Sequence, residues 1–255
     1  MGDQEHEKSA GGEAADALKT LLARIGEIFG VFDLSFFVAG AVCAGAVVFG
    51  GYISGATWLS RLAPEEWKAV QIGAAVLGCY VLGIVCFAAG RRRRQPSFYL
   101  RLPEQLRAFA LDREYDLQAL PPSGTARAER CSLLYTRLWA EMRQDKALAP
   151  SFNLVTRYWV MAAMCDGLGV ALGLWVVLWL AWWGQFEPAP AHPAHAVMVL
   201  VGVALGAAMW LCFREANRYG DYQMHEVVAT LAYRHDARRS EGTPRSAPPS
   251  GATSS

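Results

Sequence analysis

Apolar residues in this chain are gathered into four nearly unbroken blocks, at 31–54, 69–90, 158–183 and 194–213. Each is close to the ~20 residues that an α-helix needs to cross ~30 Å of hydrocarbon. Asp33 and Asp166 are the only Asp, Glu, Lys or Arg residues inside them. A buried helix of a soluble protein would carry a polar face at that length, and none is present. The pattern predicts an all-α membrane protein, with four transmembrane helices in two hairpins (31–90 and 158–213) and a cytoplasmic helical layer.

Between and around the blocks the polar residues also have helical spacing. In 14–30, Leu18, Leu21, Leu22, Ile25, Ile28 and Phe29 recur on one face, predicting an amphipathic helix that lies flat on the inner membrane surface or, as its balanced charge favours, packs on the cytoplasmic region. The segment 91–157 is rich in helix formers. Pro103 opens a helix predicted to reach Leu117, and Pro121-Pro122-Ser123-Gly124 interrupts the chain. A second helix is predicted over 125–146, with an apolar stripe of Cys131, Leu134, Leu138 and Met142 and with Tyr135 and Trp139 beside it. Ser151 is placed to cap a helix leading into the third block. Residues 214–239 read as a cytoplasmic continuation of the fourth helix through Ala216, Tyr219, Val227, Val228 and Leu231, with a bend at Gly220. The ends, 1–13 and 240–255, have the polar, Ser/Pro/Gly-rich composition of disordered tails.

Charge fixes the expected threading. The formal net charge is only +1, but thirteen basic residues fall in 91–157 and six from Arg214 onward, against two in the connections after the first and third blocks, Arg61 and Lys68. The positive-inside bias therefore puts both termini and 91–157 in the cytoplasm, and the short connections and compact form suggest a bacterial inner membrane. The run Arg91-Arg92-Arg93-Arg94 ends the second block abruptly. With Arg214 it is expected to meet anionic lipid headgroups. The polar start of the chain has no signal-peptide core, so the first helix is expected to remain as an uncleaved anchor. Trp58 and Trp67, and the tryptophans closing the third block, sit where interfacial anchors would. The six cysteines lie in the blocks or on the expected inner side without a C-x-x-C pair, which points to reduced packing thiols and gives no disulfide or zinc framework.

Candidate chemistry is sparse. Asp166 lies about 12 Å into its block, counting ~1.5 Å per residue from Tyr158. An acid there either lines an ion or proton path or bridges two helices as a neutral carboxylic acid. Asp33, nearer the inner boundary, can reach water. Small residues recur four apart (Gly51 and Gly55; Ala75, Cys79 and Gly83; Ala163, Gly167 and Ala171; Gly202 and Gly206), as at close helix contacts within one subunit or between subunits. Gly45 and Gly50 add a second small face. His192 and His195 have only Glu187 near them and Pro193 between them, so no metal or other cofactor is predicted. Arg218 and His225 resemble the Arg-x(4–6)-His motif of HEPN-type ribonucleases over this segment alone. That resemblance would imply acid–base catalysis by His225 and phosphate stabilisation by Arg218. Pro122-Ser123-Gly124 resembles part of the P-S-G-H element of membrane lipid phosphatases, but Thr125 stands where the histidine belongs.

Three function classes remain. The first is a non-enzymatic homo-oligomer forming or gating a membrane pathway under control of its cytoplasmic helices. The second is a membrane-anchored scaffold for a cytoplasmic protein partner, with Tyr135, Trp139 and the arginines as its contact set. The third is an enzyme at the membrane interface using Arg214, Arg218 and His225. The lipid bilayer is a partner in all three. A nucleic-acid partner is not favoured, because the arginine run is held at the membrane face.

Overall fold

The computed structural model describes residues 31–56, 69–185 and 193–242. Among these the chain is helical throughout, without a β-strand. Helix α1 is Val31–Ile53, α2 Ala69–Leu100, α3 Leu102–Ala108, α4 Thr125–Gln144, α5 Ala149–Trp183 and α6 Pro193–Gly242, with single 3-10 turns at Leu117–Ala119 and Lys146–Leu148. Four of the helices (α1, α2, α5 and α6) are long and apolar enough to cross a membrane. The 14–30 helix, residues 57–68 and 186–192 of the connections after the first and third blocks, with Trp58, Trp67, His192 and Glu187, lie outside the described residues, as do the side chains of Asp33 and His195.

Helix ends follow local chemistry. Gly55, at φ 65°, stops α1: its N–H donates to the Tyr52 carbonyl, and Ala56 N–H to that of Gly51. This is the Schellman arrangement, which glycine enters without steric cost. α3 ends the same way but with Ala110 in the left-handed position, at φ 55°. Ala110 N–H bonds Arg107 O, and Leu111 N–H bonds Leu106 O at 2.9 Å, with both leucines buried. The helix opened by Pro103 is therefore only 7 residues long and does not reach Leu117. Ala110 supplies the left-handed cap, and alanine carries no sequence signal for that role. Pro150 sits in the first turn of α5, where its missing N–H costs nothing, so the helix starts at Ala149 rather than after a Ser151 cap. α6 passes Gly220 as one continuous helix of 50 residues.

The chain divides into two compact units: Met1–Arg94 with Trp159–Tyr219, and Gln95–Tyr158 with Gly220–Ser255. In unit 1, α1 and α2 cross at backbone contact. A methyl group on Gly40 would collide with the Cys79 carbonyl, and one on Gly83 with the Phe36 carbonyl. α1, α2 and α5 then share a small core of Cys43, Cys86 and Ala171. Aromatic rings extend it. Phe36 lies 5.2 Å from Phe87, Phe49 stacks on Trp175 at 5.1 Å, and the Trp175 indole N–H donates to the Val42 carbonyl at 3.0 Å. Between α5 and α6, Gly169 leaves room for the Phe213 ring, and Gly202 faces the Trp179 indole. Gly73, Gly78 and Gly206 have open space where a methyl would go.

Unit 2 has a conventional apolar core. Leu102, Leu106, Cys131, Leu138, Val155, Val227, Val228 and Leu231 are fully buried together. Each is a side chain whose removal from water is worth roughly 1.5–3 kcal/mol for the larger aliphatics. The buried stripe of α4 is Cys131, Tyr135, Leu138 and Met142. Tyr135 therefore takes the core position expected of Leu134, and Leu134 turns partly outward. Tyr135 packs edge-on to Phe98, and Trp139 edge-on to Phe152. These two residues build the core and are not an exposed contact set. Polar ties hold the rim. Arg101 grips both carboxylate oxygens of Asp221 at 2.6 and 2.8 Å, and Arg234 meets Asp145 at 2.9 Å.

Candidate functional site

Asp166 is on α5 in unit 1, with its side chain fully buried. Its Oδ2 accepts from Arg94 Nε at 3.0 Å and lies 2.9 Å from the second guanidinium nitrogen. Arg94 is itself 9% exposed. Two charges that could not separately remain in an apolar setting are thus neutralised against each other. Gly90, one turn before Arg94, makes this geometry accessible. A side chain there would come within 2.9 Å of the Asp166 Cβ, so only glycine lets α2 press against α5 at this level. Gly167 helps on the next position: a methyl on it would lie 3.0 Å from the Ala39 Cβ of α1. The other carboxylate oxygen, Oδ1, is buried without a hydrogen-bond partner among the described residues.

The neighbouring arginines have different surroundings. Arg91 lies over the Phe87 ring at 5.9 Å, Arg93 over Phe213 at 3.9 Å, and Arg214 over Trp210 at 5.4 Å. Three guanidinium groups thus rest on aromatic faces, an attraction of roughly 0.5–2 kcal/mol each depending on desolvation. Asp166 was an isolated acid in the sequence; its partner stands 72 positions away. No spacing rule reaches across that interval.

A second polar cluster belongs to unit 2. Tyr115 Oη donates to Glu141 Oε2 at 3.0 Å and lies 3.3 Å from His235 Nε2. The imidazole is flanked on both sides, with Nδ1 3.7 Å from Glu114 and Nε2 3.6 Å from Glu141. Arg239 closes the group by pairing with Glu114. Burial pushes the Tyr115 phenol well above its ordinary value, and the adjacent Glu141 carboxylate adds to the effect, while Arg137 pulls the other way. The cluster spans the loop after α3, helix α4 and the end of α6. Nothing in the sequence pointed to it, because its members lie up to 125 positions apart. Among the described residues no group of three or more His, Cys, Asp or Glu side chains is disposed to hold a metal ion.

The remaining candidates are placed individually. Arg218 is exposed and pairs with Glu215 at 3.6 Å. His225, in unit 2, is exposed and edge-on to Phe109 at 5.2 Å.

Four apolar helices of spanning length, one of them carrying a buried acid closed by an arginine, define a chain compatible with a multi-pass α-helical membrane protein. No protein-family model, curated protein or solved structure matches it.

Proposed function

We propose that this chain assembles as a homo-oligomer in a cytoplasmic membrane and forms or gates a membrane pathway under control of its cytoplasmic helices. Both termini and unit 2 face the cytoplasm in this reading, as the positive-inside bias requires. Arg91, Arg92, Arg93 and Arg214 meet anionic headgroups. The observation that carries the proposal is the buried Arg94–Asp166 pair. Ionisable side chains within apolar helices face a bundle interior or a wet cavity and mark ion pathways and proton relays, and opening of this pair would be the gating step. Arg94 is the last residue of unit 1 along α2, and Gln95 of the same helix opens unit 2.

The test is flux through liposomes containing purified protein, with an ion-sensitive dye inside. Asp166→Asn should change flux several-fold in either direction relative to wild type. An absence of flux for both proteins across pH and ionic conditions, together with a strict monomer on crosslinking in membranes, would overturn the reading.

A second reading is a membrane-anchored scaffold for a cytoplasmic partner, supported by the separate apolar core of unit 2. Replacing the four apolar segments by an unrelated anchor would preserve activity in that case and abolish it in the first.

A further inference from the structure

Helix α4 turns one face away from the core of unit 2. Arg130, Leu133, Leu134 and Arg137 follow one another at i, i+3, i+4 and i+7, so they form a single stripe. They line one wall of a cavity of about 340 Å³ whose other wall is Tyr115, Asp116, Ala119 and Leu120. Leu133 is 65% exposed there, a large apolar side chain left in water. The two arginines bracket the leucines at a separation of about 10 Å along the helix axis, at 1.5 Å per residue.

Arg101, Arg127, Arg234 and Arg239 in the same unit are engaged with carboxylates or carbonyl oxygens. Arg130 makes no ion pair among the described residues. Arg137 lies over the Tyr115 ring at 5.8 Å, which orients its guanidinium at the cavity mouth without neutralising it. Asp116 is the one acid in the lining, on the wall opposite the arginines. The site therefore offers two positive ends, an apolar middle and a floor formed by a buried aromatic ring.

We propose that this cavity docks an acidic amphipathic helical segment of a partner protein, with two carboxylates seven residues apart and leucine-like side chains between them. Carboxylates would take the forks of Arg130 and Arg137, and the apolar side chains would cover Leu133 and Leu134. Groove recognition of helices uses such i, i+3, i+4, i+7 anchors. A lipid headgroup shares the negative charge but has no use for the exposed Leu133 between the arginines. The proposal is independent of whether the membrane helices carry flux.

The experiment uses the full chain in nanodiscs of zwitterionic phosphatidylcholine. The probe is a fluorescent 16-residue amphipathic peptide with Glu at positions i and i+7 and Leu at i+3 and i+4, read by anisotropy. We expect saturable binding that weakens with added salt and falls at least tenfold for the same peptide with Lys in place of Glu. Arg130→Glu with Arg137→Glu should weaken it at least tenfold, and Leu133→Asp at least fivefold. Arg143→Glu, in the last turn of α4 and outside the lining, should stay within twofold. All substituted positions are surface ones, and circular dichroism confirms that each variant is folded. Equal binding of the Glu and Lys peptides overturns the proposal, as does binding unaffected by the double charge reversal. It is also overturned if the peptide fails to bind while vesicles containing phosphatidylglycerol bind through Arg130 and Arg137, since the face would then be a lipid contact.

Discussion

Replacing Asp166 by asparagine keeps the shape of the side chain and removes one charge from the Arg94 pair. At 2.9 Å and an effective dielectric constant of about 20, the lost attraction is about 6 kcal/mol. Desolvation of the two ions costs several kcal/mol each and offsets most of that in the intact pair. The intact pair is thus close to neutral in net stability. The single variant is not, because Arg94 keeps its desolvation cost and loses its counter-charge. The expected loss is about 3–5 kcal/mol, a large part of the roughly 5–15 kcal/mol that holds a domain folded. Gly90 packs its Cα against this level of α5, which limits the room for water to enter and relax the site.

The assay is reversible unfolding in mixed micelles of increasing SDS fraction, applied to wild type, Asp166→Asn, Arg94→Gln and the double variant. The double variant restores a neutral hydrogen-bonding pair and should recover to within about 2 kcal/mol of wild type. The coupling energy should then be about 3 kcal/mol or more, at the upper end of the range for directly interacting residues. Single variants that each lose less than about 1 kcal/mol, combined with an additive double variant, would refute the claim that a buried charge pair holds α2 against α5.

Gly40→Ala and Gly83→Ala should abolish monodisperse protein in detergent, because each added methyl meets a backbone carbonyl of the facing helix; Gly73→Ala and Gly78→Ala meet open space and should behave as wild type on size-exclusion chromatography. Ala110→Gly should stabilise unit 2 by about 0.5–1 kcal/mol, because relief of the left-handed cap of α3 exceeds the entropy gained by the unfolded chain; a lower melting temperature would refute this. The Tyr115 phenol is raised in the folded state, so folded protein holds its proton when the unfolded chain gives it up. That contribution to stability is fully present below about pH 10 and is lost as pH rises through the higher folded value. Tyr115→Phe should therefore flatten the alkaline part of the stability–pH profile measured by chemical denaturation, and an unchanged slope would count against the arrangement.

The four long helices were legible because length and unbroken apolarity are local properties. Nothing in the described residues competes with them. Boundaries were less legible where a residue acts outside its usual role. Ala110 takes the left-handed cap that glycine takes at Gly55, so α3 stops near Ala108 instead of running to Leu117. On α4 the stripe was correctly placed at Cys131, Leu138 and Met142, but polarity alone preferred Leu134 over Tyr135 for the core. Tyr135 enters because its ring meets Phe98 and Tyr99 across the unit. That preference for aromatic edges is a tertiary fact.

Small residues show the same division between what spacing reveals and what it conceals. Gly83 stood out within its own span, yet Gly40, which makes the reciprocal contact, has only Ala44 four residues on and looks like any other small residue of its span. The close approach of α1 and α2 needs both, because each glycine admits the backbone of the other helix. The candidate site follows this logic one step further. Arg94 closed a run whose role along the chain was to end an apolar segment, while Asp166 was a lone acid in another. Each made physical sense alone, as a stop signal and as an expensive buried group. Folding joins the cost of one to the charge of the other, and Gly90 provides the clearance. An acid deep in an apolar helix is therefore better read together with the cations that end its neighbouring helices than with residues on its own. Applied to the second cluster, that reasoning accounts for why His235, unremarkable in its own sequence, sits between carboxylates brought from two other elements.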